Sequence, residues 1–235
     1  MGDAGGRSED AFAWGQVVAA LGVVGALGLG LWATELRSGD TASGQSEPKP
    51  ATCSDGDEDG GRKNKAAGRV TGAELCAALN RKDLATLLGT PAEIPKNASG
   101  GDSEVTMAGG RKIPTPSARV EFDTYTVDLE GTYDDHPVAL TASLFDDPVE
   151  NRRFHGHRAV LYSDRTISLQ FRLDGSDSSS GPGVPARVLS VAQDTGDKGG
   201  SFELTVWRED GAVPDDAVLF DVAERVLPAI PGWDS

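Results

Sequence analysis

Cysteine is nearly missing from this chain. Two in 235 residues are too few for a tetrathiolate zinc site or a disulfide-dense scaffold. Histidine is scarce as well, at three, which confines imidazole chemistry to His136, His155 and His157. Positive charge is in deficit: 22 Lys and Arg stand against 37 Asp and Glu, a formal net charge of −15. That balance repels nucleic-acid phosphates and gives no broad electrostatic grip on anionic lipid. There is no G-x-S-x-G elbow and no Walker loop, no internal repeat, and no motif that calls for a cofactor. What is abundant is glycine, at 30, and proline, at 13, more than one compact core needs. The length fits one ordinary domain plus extras, or two small ones.

Charge is also absent locally. From Ala11 to Thr34 no residue is ionisable (AFAWGQVVAALGVVGALGLGLWAT), and Asp10 and Glu35 bracket the run. A bilayer core of roughly 30 Å needs about 20 apolar residues in a helix, so 11–34 is read as a transmembrane helix behind a short tail, 1–10. Trp14 and Trp32 would lie about 27 Å apart along that helix, where indole rings favour the two membrane interfaces. A cleaved signal peptide fits less well, because the n-region is acidic and no A-x-A site follows. Gly22, Ala26 and Gly30 form a small-xxx-small face that lets two helices approach, so weak self-association is a further expectation. The short N-terminus points to a C-terminal domain outside the cytoplasm, and two cysteines able to pair agree with an oxidising exterior.

Residues 35–68 are rich in Gly, Ser and Asp and show no periodicity. They cannot bury enough apolar surface to offset chain entropy and read as a disordered linker with a reach of roughly 30 Å. Asp55-Gly56-Asp57-Glu58-Asp59-Gly60 imitates the opening of a calcium loop. The twelfth position, which needs a bidentate acid, is Ala66, so the run is read as solvated acid and no metal is assigned.

Residues 69–235 carry the periodic stretches of a soluble domain. Thr71 and Glu74 make a capping box that opens a helix through Asn80. A second short helix places Leu84, Leu87 and Leu88 on one face and stops at Gly89. A Gly/Ser-rich loop then runs from Pro91 to Pro116. Ala118 to Leu129 reads as one strand whose change of phase suggests a bulge, and Val138 to Phe145 as a helix. Arg158 to Tyr162 and Thr166 to Leu173 read as a hairpin around a tight turn. Asp174 to Pro185 reads as a loop, followed by a second hairpin of Ala186 to Gln193 and Ser201 to Arg208. A last helix spans about Asp215 to Leu227, ended by Pro228. Hairpin-linked strands make an antiparallel sheet that the helices must cover, so the fold class is α+β.

Several segments are familiar in combination: Ala13-Trp14-Gly15-Gln16-Val17-Val18, Leu75-Cys76 with Leu79-Asn80, and Leu84 to Pro91. Asp123 to Thr126, Leu161 to Thr166, Val206-Trp207-Arg208, Pro214-Asp215-Asp216 and Pro231-Gly232-Trp233 add to them. Together they resemble a family of actinobacterial membrane proteins known as domain of unknown function 6215. The resemblance implies a single-pass membrane protein with an extracytoplasmic domain and no assigned activity. The opening with a cysteine and then LLG is also similar to lipoproteins with a PsbP-like α/β/α sandwich, an analogy of fold only.

The chemistry-bearing residues are few. His155-Gly156-His157 would put both rings on one strand face, with Glu150 or Asp164 as an added ligand, but two ligands fall short of a metal site. Serines 176–180 sit in a flexible run, a poor place for a nucleophile. Cys76 lies inside an amphipathic helix, where burial or pairing with Cys53 is expected over reactivity. Asp134-Asp135, Asp146-Asp147 and Asp215-Asp216 are adjacent pairs that do not face each other, and the last suits a helix N-terminus. Trp207 and Trp233 are packing residues, or alternatively aromatic anchors at an interface. The main expectation is a membrane-tethered, non-enzymatic module that binds a protein or small molecule. The rivals are a hydrolase or metal enzyme using His155 and His157, and a structural subunit of a membrane complex.

Overall fold

A computed structural model describes residues 49–55, 69–141, 143, 149–170 and 179–233. Contacts divide the chain into residues 1–47 and 48–235, and the fold below belongs to the second unit. The apolar run 11–34, with Trp14, Gly22, Ala26, Gly30 and Trp32, lies outside the described residues, as do the acidic stretch beyond Asp55 and the serines up to Ser178. Among the described residues, no helix is long and apolar enough to cross a membrane.

The centre is an eight-stranded sheet. In chain order the elements are β1 (Ser54–Asp55), α1 (Gly72–Leu79), α2 (Leu84–Leu87), β2 (Asn97–Gly101), β3 (Glu104–Thr106), β4 (Lys112–Pro114), β5 (Ser117–Glu121) and β6 (Tyr125–Thr132). Then follow α3 (Val138–Thr141), β7 (Glu150–Phe154), β8 (His157–Gln170), β9 (Ser179–Ala192), β10 (Ser201–Arg208), α4 (Asp216–Val226) and a 3-10 turn, Leu227–Ala229. The spatial order is β1-β2-β5-β6-β10-β9-β8-β7, with β3 and β4 as a separate hairpin. Among the described strands only β1 and β2 pair in parallel. The α+β class and the large antiparallel sheet stand as expected.

Alternation sorts each strand into two faces. Val120, Val127, Leu129, Leu161, Leu189, Leu204 and Val206 form one buried core with Leu75, Leu79, Leu84, Leu219 and Val222 of the helices. Burial on this scale is the main stabilising term. The helical cover is on this face. On the opposite face, Val138 of α3 packs with Val160, Tyr162, Val188 and Ala192 in a smaller cluster. Among the described residues that is the only helix there, so a second helical layer of the α/β/α kind is not seen.

Several expected elements take a different form. The phase change between Ala118 and Leu129 is a hairpin turn rather than a bulge: β5 and β6 pair with each other, Val120 opposite Val127, and the Phe122 N–H donates to the Tyr125 carbonyl at 2.8 Å. The tight turn expected after Tyr162 is absent, because β8 runs on through Ser163, Asp164 and Arg165. Ser163 and Asp164 lie opposite Arg187 and Ala186, the last β9 residues that pair with β10, and from Arg165 onward the β8–β9 ribbon outruns β10. The loop expected over 174–185 is strand from Ser179 onward, and Pro182 and Pro185 are tolerated on a ribbon without a further neighbour.

The stretch read as loop from Pro91 to Pro116 holds β2, β3 and β4. Strand β2 is small because α1 lies directly on it: a Cβ on Gly100 would stand 2.2 Å from the Gly72 carbonyl oxygen. Residues 51–55, which composition placed in the linker, lie against this edge. The Ala51 N–H donates to the Pro95 carbonyl at 2.9 Å, and Cys53 is joined to Cys76 by a disulfide.

Candidate functional site

The histidines come first, because the strand reading put His155 and His157 together. The structure separates them. Phe154 pairs with His157 across a two-residue turn in which His155 and Gly156 have φ of 47° and 86°, the left-handed pair that a tight hairpin requires. His155 therefore leaves the strand at the turn, with Nε2 2.8 Å from Glu224 on α4. His157 is fully buried, with Nδ1 2.8 Å from the Ala192 carbonyl and its ring stacked 4.3 Å from that of Trp233. Glu150 pairs with Arg152, and Asp164 accepts from the Arg165 N–H. Among the described residues no group of three His, Cys, Asp or Glu is placed to hold a metal ion. Of the adjacent acids, Asp215 caps α4 by accepting from the Ala217 N–H at 2.9 Å, Asp216 pairs with Arg187, and Asp135 pairs with Arg111.

The polar side chains that do converge stand on the sheet face opposite the main core. Register aligns them. Glu203 of β10 sits directly opposite Glu130 of β6, Thr205 opposite Asp128, and Trp207 opposite Thr126, while Arg119 of β5 faces Asp128 from the other side. Arg119 donates to both Asp128 oxygens, at 2.7 and 2.6 Å, the fork geometry that guanidinium and carboxylate share. Its Cζ also lies 5.2 Å from the centroid of the Trp207 ring, a cation–π contact. Buried Thr126 donates its hydroxyl to Glu209 at 2.7 Å.

The middle of this face is short of positive charge. Among the described residues, neither Glu130 nor Glu203 has a basic partner. Glu203 accepts a hydrogen bond from the Tyr162 hydroxyl at 2.7 Å. Burial pushes the Glu203 carboxyl above its usual range, Asp164 adds to the shift, and the Tyr162 bond partly offsets it. The Glu130 carboxyl is also pushed up, first by desolvation on the sheet and then by Glu203 and Asp128. The Tyr162 phenol rises in turn, through burial and the adjacent Glu203. Like charges directly opposite on a sheet are unfavourable, so this row holds its protons more tightly than free carboxylates do.

Sequence reasoning did not single out Glu130, Glu203, Tyr162, Arg119 or Asp128. A signal was present. Glu203, Thr205 and Trp207 share one phase of a strand whose other phase is Phe202, Leu204 and Val206, which sets the tryptophan on the polar side. A shallow groove lined by Glu74, Ala77, Ala78, Arg81, Ala229 and Pro231 offers less chemistry. Glu74 is held by the capping box, and Arg81 is held by Asp83 and the Arg225 carbonyl.

A model of a family of unknown function, DUF6215, matches residues 8–148. The match covers more than half of the chain, from ahead of the apolar run through α3. The chain belongs to this family. No curated protein and no solved structure matches it. For this DUF6215 protein the sheet face therefore has to be read from its own residues.

Proposed function

We propose that the chain is a single-pass membrane protein whose C-terminal domain, outside the cytoplasm, serves as a non-enzymatic binding module. Its polar sheet face takes a partner that carries basic side chains. The observation behind this reading is the Glu130–Glu203 pair: two facing carboxylates without a basic partner among the described residues, on the same sheet face as an indole, four residues along β10, that already holds one guanidinium. A lysine or arginine from a partner would supply the missing charge in a partly desolvated setting, where charge-assisted hydrogen bonds are strongest. The formal net charge of −15 would speed the approach of such a partner. The apolar run 11–34 supports the anchor by its length, and the paired cysteines agree with an oxidising compartment.

The test uses the full chain in detergent with a nona-arginine peptide as probe. The double variant Glu130→Gln/Glu203→Gln is compared with Asp221→Asn/Glu224→Gln, which removes two exposed carboxylates of α4. Loss of affinity by about tenfold in the first variant and little change in the second is expected, because the sheet pair is the less hydrated one. Equal loss in both would reduce the interaction to net charge and overturn the reading.

A further inference from the structure

The disulfide stands where the chain enters the domain. Cys76 is fully buried in α1, and Cys53 is half-buried at the sheet edge, with 6.0 Å between the two Cα atoms. Little else fastens the entering segment. Strand β1 has two residues, Ser54 and Asp55, paired with Ser99 and Gly100. Three hydrogen bonds add to this: Ala51 N–H to the Pro95 carbonyl at 2.9 Å, Asn80 Nδ2 to the Ala51 carbonyl at 3.0 Å and Ser54 Oγ to the Ala98 carbonyl at 3.4 Å. A two-residue edge pairing is too short to persist alone. Among the described residues the next backbone attachment is at Val70, whose N–H donates to the Tyr133 hydroxyl at 2.7 Å, followed by Gly72, whose N–H donates to Asp102 at 2.8 Å.

We propose that the Cys53–Cys76 disulfide is a redox-sensitive clip that sets where the N-terminal chain joins the domain, and that its reduction releases residues 51–55 while the domain stays folded. The reductant is a dithiol. Its thiolate attacks Cys53 Sγ, the more accessible sulfur; the S–S bond breaks, and the electron pair leaves with Cys76 Sγ, which takes up a proton. The second thiol of the reductant then attacks the mixed disulfide and frees Cys53 as a thiol, so two electrons pass to the protein and the reductant becomes a disulfide. Cys76 remains packed in the core, where a free cysteine behaves as a small apolar residue. Helix α1 keeps its Thr71–Glu74 capping box. Among the described residues the first one fixed to the domain moves from Ala51 to Val70, a separation of roughly 60 Å in extended chain.

Hydrogen exchange read by mass spectrometry tests this on the full chain in detergent, with and without dithiothreitol. Reduction is expected to speed exchange at least about tenfold over 51–55 while β6 and β10 stay protected, and Cys53→Ser is expected to do the same without reductant. Unchanged protection at 51–55 after reduction would overturn the proposal. So would loss of protection in β6 and β10 together with 51–55, because the disulfide would then be a staple of the whole domain.

Discussion

Gly72 and Gly100 show how single residues decide this fold. Helix α1 approaches β2 so closely that a Cβ on Gly72 would lie 2.3 Å from the Gly101 backbone. Backbone cannot swing aside as the end of a side chain can, so Gly100→Ala should destabilise the domain by about 3 kcal/mol in urea denaturation. Gly101 has open space at its Cβ position, and Gly101→Ala should be close to neutral. At Glu203 the prediction concerns pH. Its folded-state carboxyl is raised above the ordinary 4.5, so the native state holds the proton more tightly than the unfolded state does. The stability this contributes is present in full below pH 4.5 and is lost as pH rises through the folded value. Glu203→Gln keeps an acceptor for the Tyr162 hydroxyl and removes the titration. Its stability should fall less than the parent's as pH is raised from 4 to 7, and parallel curves would contradict the assignment.

At the scale of elements, α1 combines local and tertiary support. The Thr71 side chain accepts from the Glu74 N–H at 3.2 Å, and the Thr71 N–H donates to the Glu74 carboxylate at 2.9 Å. Thr71→Ala should cost about 1 kcal/mol, read as a lower midpoint in thermal unfolding. Elements of this kind were legible in the residues. The capping box marked α1, Asp215 and the Val218–Val226 spacing marked α4, and clean alternation marked β10. Strand β2 was not, because its glycines serve a close helix contact and resemble a loop in composition. Strand β7 was not either: four of its five residues are exposed, as suits a charged edge strand. The β8–β9 ribbon was misread because its far half has no core to face, which leaves no periodicity. The site had the same difficulty. Glu130 and Glu203 stand 73 positions apart in the chain, and only the β6–β10 register brings them opposite each other.

For the whole molecule, the family match begins at residue 8 and so takes in the apolar run as well as the first half of the domain. Anchor, linker and domain form one proposed arrangement, in which the disulfide fixes where the linker ends and the polar sheet face remains free for a basic partner. The most direct test is labelling of intact cells with a membrane-impermeant maleimide, before and after an impermeant reductant. The account predicts no labelling before reduction and labelling of Cys53 after it, which would place the domain outside with its cysteines oxidised. Labelling that appears only once the cells are lysed would put the domain in the cytosol, and the proposed orientation and partner class would fall together.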